Sequence, residues 1–77
     1  MELVKFVENF AAQFDETDAA VFKPETEFKK LEEWSSMLAL SIIAMTDEEY
    51  DVQLKGDDIR SSSTIQDLFD IIKSKQN

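Results

Sequence analysis

The residues on which chemistry is most readily placed are two adjacent serines, Ser35 and Ser36. Behind them runs a stretch, Met37 to Met45, that is apolar at every position except Ser41, and beyond it stand three consecutive acids, Asp47, Glu48 and Glu49. A serine hydroxyl attacks only when a neighbouring group takes its proton. The chain has no histidine and no cysteine, so a Ser–His or Cys–His arrangement is impossible. A glycine-rich phosphate loop needs glycines, and Gly56 is the only one. With 17 acids in the chain, paired carboxylates arise anywhere and single out no acid–base couple. The expectation is a protein that is not an enzyme and has no catalytic residues.

The serines need an element to hold them. Ser35 suits a helix N-cap, with Ser36 the first helical residue. Ala, Leu and Met in the following run favour helix, so the helix is expected to continue to about Tyr50. Leu38, Ile42, Met45 and Glu49 fall on one stripe; Leu40, Ile43, Asp47 and Tyr50 fall on others. Around Ile42 and Ile43 at least two faces are apolar, which is too much for an ordinary surface helix. Either the helix is central in a small bundle, or part of it stays exposed for a partner.

Composition bounds the alternatives. The 77 residues suffice for one small domain with a modest core, and 43% apolar content suits a globular fold. Seventeen acids against 8 bases give a net charge of -9, which leaves no basic patch for nucleic acid and favours partners with basic surfaces. The absence of cysteine excludes disulfides and thiolate metal sites, and no metal site is expected. The N-terminal segment lacks the basic region and apolar core of a signal peptide, and no stretch approaches a membrane span. The expected compartment is the cytoplasm, and the expected state is a monomer.

The remaining elements are read in chain order. Residues 2–14 should form the first helix, with Leu3, Phe6, Val7, Phe10, Ala11 and Phe14 at helical spacing and Glu2 at its positive end. Residues 15–30 form a long connection, tethered by Val21 and Phe22 and interrupted by Pro24. Thr26 is placed to cap a short turn at residues 27–31 that turns Phe28 and Leu31 inward, and Trp34 to staple against Leu38. After the central helix, Val52 and Leu54 alternate with polar residues as a short extended piece, too solitary to found a sheet. Gly56 suits a positive-φ position. Residues 57–60 are a one-turn helix with Ile59 inward, and Ser61, Ser62 and Ser63 a linker. Thr64 and Asp67 make a capping box for a last helix ending at Lys75, with Ile65, Leu68, Phe69 and Ile72 inside and Gln76 and Asn77 fraying. The fold class is all-α: three main helices plus one short helix, with a long first loop, in a single domain over residues 1–77. Its core is expected at Phe6, Phe10, Phe28, Ile42, Ile59, Leu68 and Ile72.

This order of elements resembles the acyl carrier protein family. The resemblance rests on Ser36 and Met37 at the start of the central helix, then Asp47, Glu48, Glu49 and Tyr50, then Val52 and Leu54. It continues through the short helix at 57–60 and ends in Thr64, Ile65, Gln66, Asp67 and Leu68, with Phe28 where the family places a phenylalanine ahead of its serine. It covers residues 28–75 in register and the first helix loosely.

What the resemblance implies is specific. Ser36 would carry a covalent 4'-phosphopantetheine arm, installed from coenzyme A with magnesium by a phosphopantetheinyl transferase. Its thiol would hold acyl groups as thioesters for fatty acid, polyketide or related lipid biosynthesis. Ser36 would be a passive acceptor, since the chain supplies no base, and a phosphodiester at a helix N-terminus meets free N–H groups and the positive dipole end. Partner synthases and acyl-transferring enzymes with basic surfaces would dock on Ser35, Met37, Leu40, Ala44, Asp47 and Glu48. The family's aspartate ahead of the serine is Ser35 here, a rival acceptor; Met37 in the family's leucine position sets the register on Ser36. Leu38 and Ser41 stand where fatty acid carriers often have carboxylates. A peptidyl or aminoacyl carrier, and a small acidic adaptor that docks a basic partner without modification, are the alternatives.

Overall fold

Helix boundaries in this chain follow from where caps and aromatic anchors fall. The computed structural model describes residues 2–76. Among them the chain forms four α-helices: α1 (Leu3–Ala11), α2 (Ser36–Tyr50), α3 (Gly56–Ser61) and α4 (Ile65–Lys75). Two 3₁₀ turns, Ala19–Val21 and Phe28–Lys30, lie in the long connection, and no strand occurs among the described residues. The helices pack as a bundle with a radius of gyration of 11.2 Å, against about 11.5 Å for a compact chain of this length.

The core is largely aromatic. All six phenylalanines are buried, together with Ile42, Met45, Ile59, Ile65, Leu68 and Ile72. Phe6 and Phe10 of α1 set the pattern. Phe6 meets Tyr50 and Phe69, each at 5.8 Å between centroids, while Phe10 meets Phe28 edge-on at 5.4 Å. Every core residue expected from the sequence is buried, Phe28 included, although it lies in the long connection.

Helix α1 ends earlier than its apolar periodicity implies. After Ala11 the Gln13 and Phe14 N–H groups donate to Phe10 and Ala11, three residues back, so the helix tightens into a turn. Phe14 stays in the core from outside the helix, 4.8 Å from the Phe22 ring. Glu2 occupies the N-cap position, without a side-chain capping bond.

The connection is held differently from the expectation. Phe22 is buried and tethers it, but Val21 is 42% exposed and does not. Thr26 does not cap the Phe28–Lys30 turn, whose N-cap is Glu27; its hydroxyl accepts from the Lys23 N–H and donates to the Val21 carbonyl. Trp34 packs its ring on Phe28 at 4.9 Å and on Phe14 at 6.3 Å. The N–H groups of Ile65 and Gln66, in the first turn of α4, donate to the carbonyls of Thr26 and Pro24. Helix-start donors that have no intrahelical acceptor are thereby satisfied by the loop that covers them.

Helix α4 has the expected capping box: Thr64 Oγ1 accepts from the Asp67 N–H, and the Asp67 carboxylate accepts from the N–H groups of Ser63 and Thr64. Val52 and Leu54 are buried on the extended piece between α2 and α3. The positive φ lies not at Gly56, which begins α3, but at Asp51, whose φ of 55° closes α2 in the left-handed region. Aspartate tolerates that region better than most non-glycine residues. Ser62 is no linker: it is buried, and its hydroxyl donates to the Asp58 carbonyl at 2.8 Å. Asp58 accepts from the Lys55 N–H and pairs with Lys75 at 2.9 Å, joining α3 to the end of α4. Asn77, expected to fray, lies outside the described residues. No described helix is long and apolar enough to cross a membrane.

Candidate functional site

The first turn of α2 is built as its residues dictate. Ser35 is extended, with φ -155° and ψ 171°, and its hydroxyl accepts from the Leu38 N–H at 3.3 Å. Its carbonyl accepts the Ala39 N–H at 3.0 Å, the first bond of the helix. Ser36 is the first helical residue and is exposed. Helix geometry gives the N–H groups of Ser36 and Met37 no acceptor within the helix.

From Ser36 an exposed stripe runs the length of α2. Met37 is 78% and Leu40 65% exposed, and Ala44, Asp47 and Glu48 are exposed beyond them. At about 100° per residue these six positions fall within roughly 120° of arc. The buried residues of the helix, Ile42, Met45 and Thr46, lie on the opposite side. The helix thus has one apolar face in the core and a second, narrower one in solvent that ends in acid. Glu49 is exposed but falls off this stripe. Ser35 adjoins its upper end and is exposed as well.

Just before the head of α2 stands a residue that the sequence did not single out. Glu33 lies three positions before Ser36, and its carboxylate accepts three hydrogen bonds across the neck of the long connection. The donors are the Thr17 hydroxyl at 2.7 Å, the Asp15 N–H at 2.8 Å and the Glu16 N–H at 3.0 Å. The Thr17 hydroxyl, aided by these N–H groups, holds the Glu33 carboxyl below the ordinary glutamate range. In sequence Glu33 is one of two adjacent glutamates before a tryptophan, indistinguishable from solvated charge. Beside this neck a shallow depression of about 260 Å³ opens between Gln13 and Asp15 on one side and Ser35, Met37, Leu38 and Ser41 on the other, with Glu33 in its lining.

Chemically, the arrangement presents a serine hydroxyl to solvent at the positive end of a helix, with no histidine or cysteine anywhere in the chain to activate it. The acids crowding the neck do not assemble a cation site: among the described residues no group of three or more carboxylates is arranged to hold a metal ion. No family model, curated protein or solved structure matches the chain, so the functional reading rests on its own residues.

Proposed function

We propose that the chain, as one acyl-carrier-like domain, is a carrier protein. It would hold acyl intermediates as thioesters on a 4'-phosphopantetheine arm attached to Ser36, for fatty acid, polyketide or related lipid assembly. The observation that carries the reading is the exposed Ser36 at the head of α2, continuous with the exposed stripe of Met37, Leu40, Ala44, Asp47 and Glu48. A carrier has to offer its attachment point and a grip beside it to several enzymes in turn, and this helix offers both on one face. The resemblance of residues 28–75 to acyl carrier proteins supplies the chemistry.

The residues suit such a group. The Ser36 hydroxyl oxygen would bond to the pantetheine-bearing phosphorus of coenzyme A as its pyrophosphate P–O bond breaks and adenosine 3',5'-bisphosphate leaves, and the free N–H groups of Ser36 and Met37 would favour the negative charge of the resulting phosphodiester. The arm, when attached, supplies the thiol on which acyl groups are carried. The proton of the Ser36 hydroxyl would go to a base of the transferase. The protein's own role is presentation, and the catalysis belongs to its partners.

Intact-mass measurement tests the reading. With coenzyme A, magnesium and a broad-specificity phosphopantetheinyl transferase, the chain should gain one arm. Ser36→Ala should abolish the gain, while Ser35→Ala should only slow it, by fraying a helix start whose cap contributes about 1 kcal/mol. An arm mapped to Ser35 overturns the assignment. No gain with several transferases favours a second reading, an acidic adaptor docked by the same helix. That reading is favoured by the exposure of Met37 and Leu40, which needs no modification to be useful.

A further inference from the structure

The long connection between α1 and α2 is closed at one neck by two different clamps. One is aromatic: Trp34 rests on Phe28 and Phe14. The other is polar: the Glu33 carboxylate takes the N–H groups of Asp15 and Glu16 and the hydroxyl of Thr17, residues 16 to 18 positions away in the chain. Both clamping residues sit immediately before Ser35 and Ser36. A backbone gripped on consecutive side chains just before a helix cap has little freedom to shift that cap.

The choice of an acid here is informative. Asp15, Glu16 and Glu32 crowd the same region, and like charges disfavour another ionised carboxylate. The carboxyl of Glu33 nevertheless stays below its ordinary range, because the donors point at it. Its oxygens are used as acceptors for three donors, which no neutral side chain of that length could take as well. The same carboxylate lines the depression that adjoins Ser35 and Met37.

We propose that Glu33 is the positioning residue of the Ser36 site: its carboxylate holds the 15–17 turn against the neck and thereby fixes the cap and first turn of α2. The part of this that concerns modification rests on the carrier reading; the mechanical part does not. Disturbing Glu33 leaves the docking stripe from Leu40 to Glu48 in place but lets the first turn, with the Ser36 hydroxyl, wander. Partner affinity is then retained, and the cost falls on the chemical step.

The experiment uses the full chain with Glu33→Gln, Thr17→Val and the charge-matched control Glu32→Gln, each checked for helix content by circular dichroism. Amide hydrogen exchange by NMR comes first. In Glu33→Gln, exchange should accelerate at Asp15 and Glu16 and also at Leu38, whose N–H is held by the Ser35 cap, while the α4 amides are unchanged. Acceleration confined to Asp15 and Glu16 overturns the proposal, because the clamp then holds only the loop. Transfer kinetics come second: kcat for arm transfer to Ser36 should fall about tenfold in Glu33→Gln with KM little changed. Thr17→Val should move both readouts less, in the same direction, and decides the matter if Glu33→Gln does not fold. Glu32→Gln should behave as the parent. A loss carried by KM alone, or equal losses in Glu33→Gln and Glu32→Gln, overturns the proposal. If the parent accepts no arm, the carrier reading fails, and the exchange at Leu38 still decides the clamp.

Discussion

Phe28 is the residue whose removal should be felt most widely, because it pins the long connection to the core. Its side chain is fully buried, edge-on to Phe10 at 5.4 Å and to Trp34 at 4.9 Å. Phe28→Ala removes a ring from between α1 and the neck that precedes α2. Buried Phe→Ala changes cost about 3–5 kcal/mol. A chain of this length has roughly 4–12 kcal/mol of stability in total. With an unfolding entropy of about 0.16 kcal/mol per kelvin for a chain of this length, the melting temperature should fall by roughly 19–31 °C. Urea titration followed by circular dichroism measures the loss. Fluorescence of Trp34, the sole tryptophan, reports the same transition from the ring against which Phe28 packs. Val21→Ala, at an exposed position seven residues earlier, is the control and should cost little. A Phe28→Ala midpoint that overlays the parent would refute the reasoning, since a fully buried aromatic anchor cannot be lost without cost.

Two further outcomes follow from charge. Changing Asp47 and Glu48 together to Lys should slow arm transfer to Ser36 and flatten its salt dependence, since rim charges act chiefly on association. Glu49→Lys, off the exposed stripe, should matter less, and an unchanged association rate and salt slope in the double reversal removes the acidic end from the docking surface. The Asp58 carboxyl is held below the ordinary aspartate range by its bond from Lys75 and by the Lys55 N–H. Because the folded pKa is the lower one, the stabilisation is present above the unfolded value near pH 3.9 and is lost as pH falls through the folded value. Lys75→Met should therefore lower the urea midpoint at pH 6 more than at pH 3; equal lowering at both would mean that the pair contributes nothing through its charge.

Several features that depend on one residue's neighbours in sequence were legible. The Ser35 cap, the span of α2 and the Thr64–Asp67 capping box all follow from local spacing, and each appears as the spacing implies. The buried set was legible too, since Phe, Ile and Leu at helical intervals have few other places to go. What was not legible depends on where elements end and on which of several partners a residue takes, near or far in sequence. Directly after the turn that ends α1, the N–H groups of Asp15 and Glu16 are claimed by Glu33, 18 and 17 residues away. Ser62 is buried because α3 extends to Ser61 and brings the Asp58 carbonyl within reach, not because of its composition. The positive φ went to Asp51 rather than Gly56 because α2 runs through Tyr50 and its chain must reverse at once to bury Val52. Glycine is the easiest residue at such a position but not a required one.

The exposure of Met37 and Leu40 bears on function as well as on packing. A chain this short must leave some apolar surface in water, so exposure alone means little. Its distribution means more. Among the described residues the large apolar side chains in that condition are Val4, Val21, Met37 and Leu40, while all six phenylalanines are covered. Burying a residue such as Leu or Met is worth about 1.5–3 kcal/mol, so two of them on one helix face are a substantial stabilisation forgone by a small domain. They are not spread along α2 at random: they lie within one turn of Ser36 and lead directly to Asp47 and Glu48. The opposite face of the same helix meanwhile supplies Ile42 and Met45 to the core. A helix optimised for folding alone would set polar residues at 37 and 40. Polar side chains there would leave the core untouched, so packing does not account for Met37 and Leu40; under the proposed carrier function they would be the grip beside the serine.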